Sequence, residues 1–386
     1  MKRVYLDHNA TSPLRPEARS AWIDALDRVQ GNPSSVHASG REARRLLDDA
    51  RERVAGALGV LEDEVLFTSG GTEADNLAIL GGLASLGPKA RLVTTSVEHA
   101  AVLTPARELE RQGVAVERIA VDPMGRLDLD AFQAAVGAHS LAAAMAANSE
   151  VGTLTDLEAL VGALRAKFRP SDRVLVFTDA VQALGRVPVD LRAWNVDLAA
   201  FSAHKVGGPT GVGVLFRKQG TALEPRLMGG GQEGGLRAGT ENVPGIVAAS
   251  IAIELAVREQ AEFALRTAEL VGKLFLLLRE EVPGVVLNGL PLDSTDRLPN
   301  TLNVRLPNQE GQVLVTKLDL LGLQASAGSA CASGSLEPSP VLKAMGQSDQ
   351  EARSGLRLSL GRESCEQDIH TAVDILSKTV GHRRNS

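Results

Sequence analysis

Three short polar segments of this sequence carry residue types that could do chemistry, and each follows an apolar run. Ser69–Asn76 (SGGTEADN) follows EVLFT and begins a helix-like stretch, so its glycines, Thr72 and the helix N-terminus could bind an anion. Asp179 follows RVLVFT, and Lys205 comes shortly after DLAAFS. Taken singly, each has a plainer interpretation: a helix cap for the first two and a solvated side chain for the lysine.

Taken together and in this chain order, the three features predict a site for pyridoxal 5′-phosphate (PLP). Ser69–Asn76 would hold the phosphate, Asp179 would keep the pyridine nitrogen protonated, and Lys205 would form a Schiff base with the aldehyde. Desolvation beside apolar strands favours the neutral, nucleophilic form of a lysine amine. His99 follows the run RLVTTS and could stack on the ring and move protons near pH 7, although a lone histidine is more often structural.

The segment SAGSACASGS surrounds Cys331 with small residues alone. A buried structural cysteine usually packs among apolar neighbours, and this segment offers none. We therefore expect a mobile loop that presents Cys331 as a reactive thiol instead of burying it. The other cysteine, Cys365, lies in the charged stretch GRESCEQD and is interpreted as incidental.

The elements that must position these residues alternate along the chain. Short apolar strands and amphipathic helical stretches follow one another over residues 15–260, and several strands are apolar on both faces. This order predicts a large α/β domain with a mainly parallel sheet, to which GVGVLFR adds one antiparallel strand after a short Gly/Pro loop. A long helix (AEFALRTAELVGKLFLLLREE) and the strands TLNVRL, LGLQAS and LRLSL predict a smaller α+β domain of residues 1–14 and 261–386.

Composition and charge argue against several classes of protein. The 386 residues are 44% hydrophobic and 23% charged, which is an ordinary globular balance. The net charge of −6 without a basic block argues against nucleic acid as a partner, and no GxGxxG fingerprint supports a nicotinamide enzyme. Asp7 interrupts any signal-peptide core, and the longest apolar run, IVAASIAIELAV, contains Glu254 and is too short to span a bilayer. With only two cysteines, we expect a cytoplasmic protein with no membrane partner and no metal site.

A series of longer motifs extends from Tyr5 to about Arg362: YLDHNAT, GNPSSVH, FTSGGTEADNLAI, EHAAVL, TDAVQALG, SAHKVGGPTGVGVL, RAGTEN, GSACASGSLEPS and LRLSLGR. In this order they resemble the cysteine desulfurases, which are PLP enzymes of the class V aminotransferase fold (fold type I). GSACASGSLEPS is typical of the subgroup whose catalytic cysteine lies on a long mobile loop and which supplies sulfur for iron–sulfur clusters.

The resemblance implies a role for each matching residue of the cofactor site. Lys205 would carry PLP, Asp179 would bond the ring nitrogen, and Gln182 would bond the ring hydroxyl oxygen. His99 would stack on the ring and act as an acid–base group. The implied cofactor contacts are Gly71, Thr72, His99, Ser149, Asp179, Gln182, Ser202, His204, Lys205 and Thr240.

The resemblance also implies substrate contacts and an obligate homodimer. Arg357 would pair with the substrate carboxylate, a task that suits its planar fork, and Asn32 and Asn148 would assist. Thr240, in RAGTEN, would reach the phosphate bound by the other subunit. One position departs from the family, which usually has Asn-Asn-Glu where this chain reads NSEVG. Either Ser149 makes a shorter contact there, or Asn148 substitutes for the missing asparagine.

The implied activity is the removal of sulfur from L-cysteine, with Cys331, Lys205 and His99 as catalytic residues. The products would be L-alanine and a persulfide on Cys331, passed to an acceptor such as an iron–sulfur scaffold protein. Two alternatives stay open. An aminotransferase or lyase of the same fold would not need Cys331, and a non-catalytic scaffold would be expected to lack Lys205 or Cys331, both of which are present.

Overall fold

Strands and helices alternate along the chain, as the sequence pattern predicts. The computed structural model describes residues 3–328 and 337–381. The strands are β1 Val4–Tyr5, β2 Val65–Thr68, β3 Arg91–Thr95, β4 Ala115–Ile119, β5 Ser140–Ala143, β6 Leu175–Asp179, β7 Leu198–Ser202, β8 Gly213–Arg217, β9 Val286–Leu287, β10 Thr301–Arg305, β11 Leu323–Gln324 and β12 Gly355–Ser359. The helices are α1 Pro16–Arg28, α2 Ala38–Leu58, α3 Gly71–Asn76, α4 Gly82–Leu86, α5 Ala100–Arg111, α6 Leu129–Ala135, α7 Leu157–Lys167, α8 Leu191–Trp194, α9 Val243–Arg258, α10 Gln260–Glu281, α11 Gly311–Leu320, α12 Pro340–Ala344, α13 Asp349–Arg353 and α14 Glu366–Gly381. A π-helical turn, Leu77–Gly81, joins α3 to α4.

The large sheet has the strand order β2-β8-β7-β6-β5-β3-β4. The strands from β7 to β4 pair in parallel, and β8 is antiparallel to both β2 and β7, which confirms the predicted mainly parallel sheet. One apolar core joins the sheet to α2, α7 and α9, and another joins it to α3, α4 and α5. Ala199 and Phe201 of β7 belong to the first core and Leu198 and Ala200 to the second, because successive side chains point to opposite faces.

Several strands of the large sheet end at the same edge. Thr68 pairs with Gly213, which also pairs with Ser202, and the end of β6 at Asp179 lies beside Ala200. The edge is tightly packed: a Cβ at Gly213 would lie 2.4 Å from the carbonyl carbon of Gly70, so only glycine fits. The segments that leave these strand ends, including the start of α3, therefore meet in one place.

A separate apolar core surrounds the smaller sheets. β12, β10 and β9 form an antiparallel sheet in that order, and β1 pairs in parallel with β11. Leu274 of α10, Leu318 of α11 and Leu376 of α14 belong to this core, together with Val4 of β1. The domain boundary predicted after residue 260 would lie at the start of α10, and it stays a prediction. Periodicity does not predict β1 and β9, since two residues are too few to show alternation.

Across the residues that the structure describes, no helix combines the length and the apolar composition needed to cross a membrane.

Candidate active site

Lys205 lies just beyond the end of β7, in a 3-10 turn over Ala203–Val206. Its Nζ donates to the backbone carbonyls of Asn9 and Ala10, each at 2.7 Å. Gln182 donates from Nε2 to the same Asn9 carbonyl at 3.0 Å. The N-terminal segment thus brings together the two side chains predicted to hold a cofactor ring and its aldehyde.

Asp179 is the last residue of β6 and is 7% exposed. Its Oδ1 accepts a hydrogen bond from the backbone N–H of Val181 at 2.9 Å. Burial raises the pKa of Asp179, while the positive charges of His99 and Lys205 and the Val181 hydrogen bond lower it. A buried carboxylate in this position is stabilised by a cationic partner, such as a protonated ring nitrogen.

His99 caps the N-terminus of α5, where its Nδ1 accepts from the backbone N–H of Ala101 at 3.1 Å. The neutral ring therefore carries its proton on Nε2. One of its ring nitrogens lies within 4.8 Å of a carboxylate oxygen of Asp179. His99 and Asp179 thus belong to the same small cluster, and the sequence predicts that the first stacks on the cofactor ring and the second bonds its nitrogen.

The start of α3 forms a narrow cradle beside the end of β7. A Cβ at Gly71 would lie 3.0 Å from Val181 Cγ2 and 3.4 Å from Ser202 Cβ, so a side chain at Gly71 would crowd this space. Ser202 is buried and Thr72 is exposed at the first turn of the helix. A helix start with a close backbone approach and nearby hydroxyl groups is chemically suited to a phosphate.

His204, the other predicted phosphate contact, is half-buried next to Lys205. Its Nδ1 lies 3.0 Å from Thr11 Oγ1. Burial, helped by the positive charges of Lys205 and Arg186, lowers the pKa of His204 to about 4. The imidazole is therefore neutral at pH 7 and can offer a hydrogen bond, but no charge, to an anion.

The predicted substrate arginine lies on β12 and is fully buried. Arg357 donates from Nη2 to Asp7 Oδ1 at 2.6 Å and from Nη1 to the Ser149 carbonyl at 3.1 Å. Its Nε has no hydrogen-bond partner among the described residues. The guanidinium is thus anchored by Asp7, while Nε keeps a donor available.

Asn148 and Ser149 form the turn in which this chain departs from the family pattern. Asn148 Oδ1 accepts from the N–H groups of Glu150 and Val151 at 2.9 and 3.0 Å, and its Nδ2 donates to the Val97 carbonyl at 3.1 Å. Asn148 is buried, so its amide shapes the turn, and the geometry gives its predicted substrate contact no support. Ser149 meets Arg357 through its backbone carbonyl, which does not depend on the type of side chain.

Thr240 and Asn32 are both exposed and lie next to each other. Asn32 Nδ2 is 3.5 Å from Thr240 Oγ1, and Asn32 Oδ1 accepts from the Ser34 N–H at 2.8 Å. The loop that carries Thr240 is tied to α3, because Arg237 Nε donates to Glu73 Oε1 at 2.8 Å. The two predicted contacts thus lie at the surface, beside the loop that is fastened to the phosphate cradle.

Comparison with known proteins places the whole chain in one family. The family model for class-V aminotransferases matches residues 4–371. The chain is 40% identical over 383 residues to the cysteine desulfurase IscS of Dictyoglomus turgidum, covering 98% of this chain and 95% of that protein. It is 43% identical over 392 residues to a cysteine desulfurase of Cereibacter sphaeroides, covering 100% and 97%. A solved NifS-like protein superposes with a TM-score of 0.91 at 36% identity, covering 98% of this chain and 100% of that one.

The chain belongs to the class-V aminotransferases, and within them to the cysteine desulfurases. This confirms the family and the fold that the motifs predict. The predicted catalytic residue Cys331 lies outside the described residues. Cys365 lies just before α14 and is exposed, with its Sγ 3.3 Å from Asp368 Oδ2.

Sequence reasoning missed three residues of this desulfurase site. Asn9 acts through its backbone carbonyl, which leaves no signal in a residue type. Glu98 and Asp75 are buried acids, 4% and 1% exposed. Burial raises the pKa of Glu98 to about 8, even though its carboxylate accepts from Thr95 and Met145. The signal for Glu98 was its position next to His99 in VEHAA, whereas Asp75 in TEADN has the pattern of an ordinary helix residue.

Proposed function

We propose that this protein removes the sulfur atom of L-cysteine with PLP as its cofactor. The overall reaction converts L-cysteine and the Cys331 thiol into L-alanine and a Cys331 persulfide, so one sulfur atom moves and no external oxidant or reductant is needed. The observation that carries the proposal is the convergence of Lys205, Asp179 and the Gly71 cradle at one edge of the large sheet. The cysteine desulfurases among the relatives agree with it.

The residues present fit PLP in three respects. The Gly71 cradle and the Ser202 hydroxyl suit a phosphate, the buried Asp179 suits a protonated ring nitrogen, and Lys205 supplies an amine for the aldehyde. Gln182 Nε2 would donate to the ring hydroxyl oxygen after leaving the Asn9 carbonyl. When bound, PLP supplies an electron sink that makes the bonds around the substrate α-carbon labile.

The side chains would divide the remaining work of binding and proton transfer. Asp179 would hold the ring nitrogen in its protonated form, and His99 would cover one face of the ring. Because its Nδ1 accepts from the Ala101 N–H, the neutral His99 ring would act as a proton donor through Nε2. The Lys205 amine, released from the Asn9 and Ala10 carbonyls, would move protons at the substrate α-carbon.

Arg357 would bind the substrate carboxylate. Its Nε has no partner among the described residues, so a carboxylate can accept from it while Asp7 keeps the guanidinium in place.

Thiol deprotonation is the remaining requirement, because a free thiol with a pKa of ~8.5 is mostly protonated at pH 7. Forming the Cys331 thiolate then costs about 2 kcal/mol. The substrate amine can offset this cost by taking the proton, and so can His99 once its Nδ1 gives up the hydrogen bond from Ala101.

A homodimer and a sulfur-acceptor protein, such as an iron–sulfur scaffold in the cytoplasm, complete the proposal. The exposure of Thr240, on a loop tied to the cradle by Arg237 and Glu73, supports a contact with a second copy of the chain.

Mixing a Thr240→Ala chain with a Lys205→Ala chain tests whether the two subunits share each active site. One site of each mixed dimer would carry both changes and the other neither, so about half of the mixed-dimer sites should be active. Verified chain exchange without any gain in activity would contradict the shared site.

Product analysis tests the proposed reaction against a plain lyase of the same fold. The PLP-loaded protein is supplied with L-cysteine and a thiol reductant, and alanine, pyruvate and sulfide are measured together. The desulfurase reaction gives alanine and sulfide in equal amounts. A lyase would instead give pyruvate, ammonia and sulfide after addition of water, and that result would replace the proposal.

A further inference from the structure

Asp75 is a buried acid of the candidate site that the proposed function does not use. It lies in α3, is 1% exposed, and its Oδ1 has no hydrogen-bond partner in the described part of the chain. One carboxylate oxygen of Asp75, one of Asp179 and one ring nitrogen of His99 all lie within 4.8 Å of one another. Asp75 is therefore the immediate neighbour of two side chains that would face the cofactor ring.

The two carboxyl groups differ in what surrounds them. Asp179 accepts from the Val181 N–H, and the positive charges of His99 and Lys205 lower its pKa against the effect of burial. For Asp75, burial raises the pKa well above its ordinary value, and the negative charges of Asp179 and Glu98 raise it further. When the pair carries a single negative charge, that charge therefore resides on Asp179 and the proton on Asp75.

The elements packed against α3 are β2, β7, β8, the π-helical turn and α5. His99 caps α5, and the charged residues within that helix, Arg107, Glu108, Glu110 and Arg111, are exposed. β2, β7 and the π-helical turn contain no ionisable side chain. β8 contributes Arg217, at the opposite end of the strand from Gly213. Glu73, on α3 itself, is paired with Arg237 at 2.8 Å. Burial and the acidic neighbours Asp179 and Glu98 therefore determine whether Asp75 is protonated.

We propose that Asp75 is a positioning residue that stays protonated and confines the negative charge of the pair to Asp179, the side chain that would face the ring nitrogen of PLP. This inference rests on the proposed cofactor site. As a neutral acid, Asp75 leaves Asp179 ionised without a second negative charge behind it, and its O–H dipole can turn toward the Asp179 carboxylate. An ionised Asp75 would repel that carboxylate within a buried site.

The protonation state is tested on the full chain freed of cofactor, by urea unfolding from about pH 5 to about pH 7. Asp75→Asn mimics the neutral carboxyl and does not titrate. In the unfolded wild-type chain Asp75 has an ordinary pKa of about 3.9 and is ionised at these pH values, so folding must add a proton to it. The unfolding equilibrium constant of the wild type, divided by that of the variant, should therefore rise about tenfold per pH unit. Asp24→Asn, exposed on α1, measures the same substitution away from the site. A wild-type to Asp75→Asn ratio that does not change with pH would overturn the proposal.

The positioning role is tested by the visible absorbance of the bound cofactor as a function of pH. Asp75→Asn should keep the wild-type titration midpoint, whereas Asp75→Leu, which lacks a dipole, should shift it by about half a pH unit or more. Identical midpoints in all three proteins would mean that Asp75 only fills space, which overturns the role. If Asp75→Leu does not fold, the comparison of wild type with Asp75→Asn in urea decides whether Asp75 is protonated. A wild-type chain that binds no PLP would contradict the proposed function, and the urea comparison would still decide the state of Asp75.

Discussion

The candidate site has two halves that the chain builds in different ways. The cofactor half consists of Gly71, Asp179, Gln182, Ser202 and Lys205, each within a few residues of the end of a strand of the large sheet. These residues are positioned by local geometry, because β2, β6 and β7 end at the same edge of the sheet and a helix or turn begins shortly after each of them. A short segment of sequence therefore decides where the backbone of each of these residues lies, although the side chains of Lys205 and Gln182 also contact the distant Asn9 carbonyl.

The substrate half is assembled from distant parts of the chain. Arg357 of β12 is held by Asp7, 350 positions away, and by the carbonyl of Ser149 in a turn after β5. Its geometry depends on how the small sheet packs against the large one. We therefore expect changes elsewhere in the chain to affect the substrate half more than the cofactor half, because the position of Arg357 depends on how these three segments lie relative to one another.

The largest expected effect is in the cofactor half. Lys205→Ala should lower the rate of alanine formation by roughly 10⁴-fold or more, because it removes the amine that would hold the cofactor and move the proton. Borohydride should fix PLP covalently on the wild-type chain and not on this variant. Lys89→Ala, an exposed lysine of the same domain, is the matched control and should behave as wild type. Covalent labelling of the Lys205→Ala chain would contradict the assignment of Lys205 as the residue that binds the PLP aldehyde.

A smaller effect is expected from the substrate half. Arg357→Lys keeps the positive charge but loses the planar fork, so KM for L-cysteine should rise about 10–100-fold with a smaller change in kcat. The Asp7 pair and the Ser149 carbonyl contact would also be weakened. Steady-state kinetics with the fully loaded variant separate the two constants. An unchanged KM would show that Arg357 only anchors Asp7 and does not bind the substrate.

The smallest effect is expected at the turn that departs from the family pattern. Ser149→Asn should change kcat/KM by less than about threefold, because the contacts of Ser149 with Arg357 and Asn9 use its backbone carbonyl. Asn148→Ala should lower the free energy of unfolding by about 1–3 kcal/mol, since it leaves buried N–H groups of the turn without an acceptor. A gain of more than tenfold in Ser149→Asn would instead indicate a side-chain contact with cofactor or substrate.

The two halves also differ in how far the sequence predicts them. Asp179 and Lys205 could be placed from the sequence alone, because an apolar run predicts a strand and the residue after it must lie at the edge of the sheet. The antiparallel strand of the large sheet, β8, was also predictable from its short preceding loop. The ion pair of Arg357 with Asp7 could not be predicted, because it depends on tertiary packing that no local pattern encodes.

The other site residues that the sequence did not predict act through backbone groups or through buried charge. The carbonyls of Asn9 and Ser149 bind Lys205 and Arg357, and a carbonyl is present whatever the residue type. Asp75 gives the pattern of an ordinary helix residue, and only its burial next to Asp179 sets it apart. The expectation of a mobile loop around Cys331 stays a prediction, because this residue lies outside the described ranges.

The most direct test of the account is to locate the sulfur after one turnover. PLP-loaded protein is mixed with one equivalent of L-cysteine per chain, and digested peptides are analysed by mass spectrometry while alanine is counted. We expect one added sulfur atom on the Cys331 peptide for each alanine formed, with the same result in Cys365→Ala. Cys331→Ala should fold and bind PLP but form neither persulfide nor alanine. Release of alanine and sulfide by Cys331→Ala at the wild-type rate, or sulfur recovered on Cys365, would contradict the central claim.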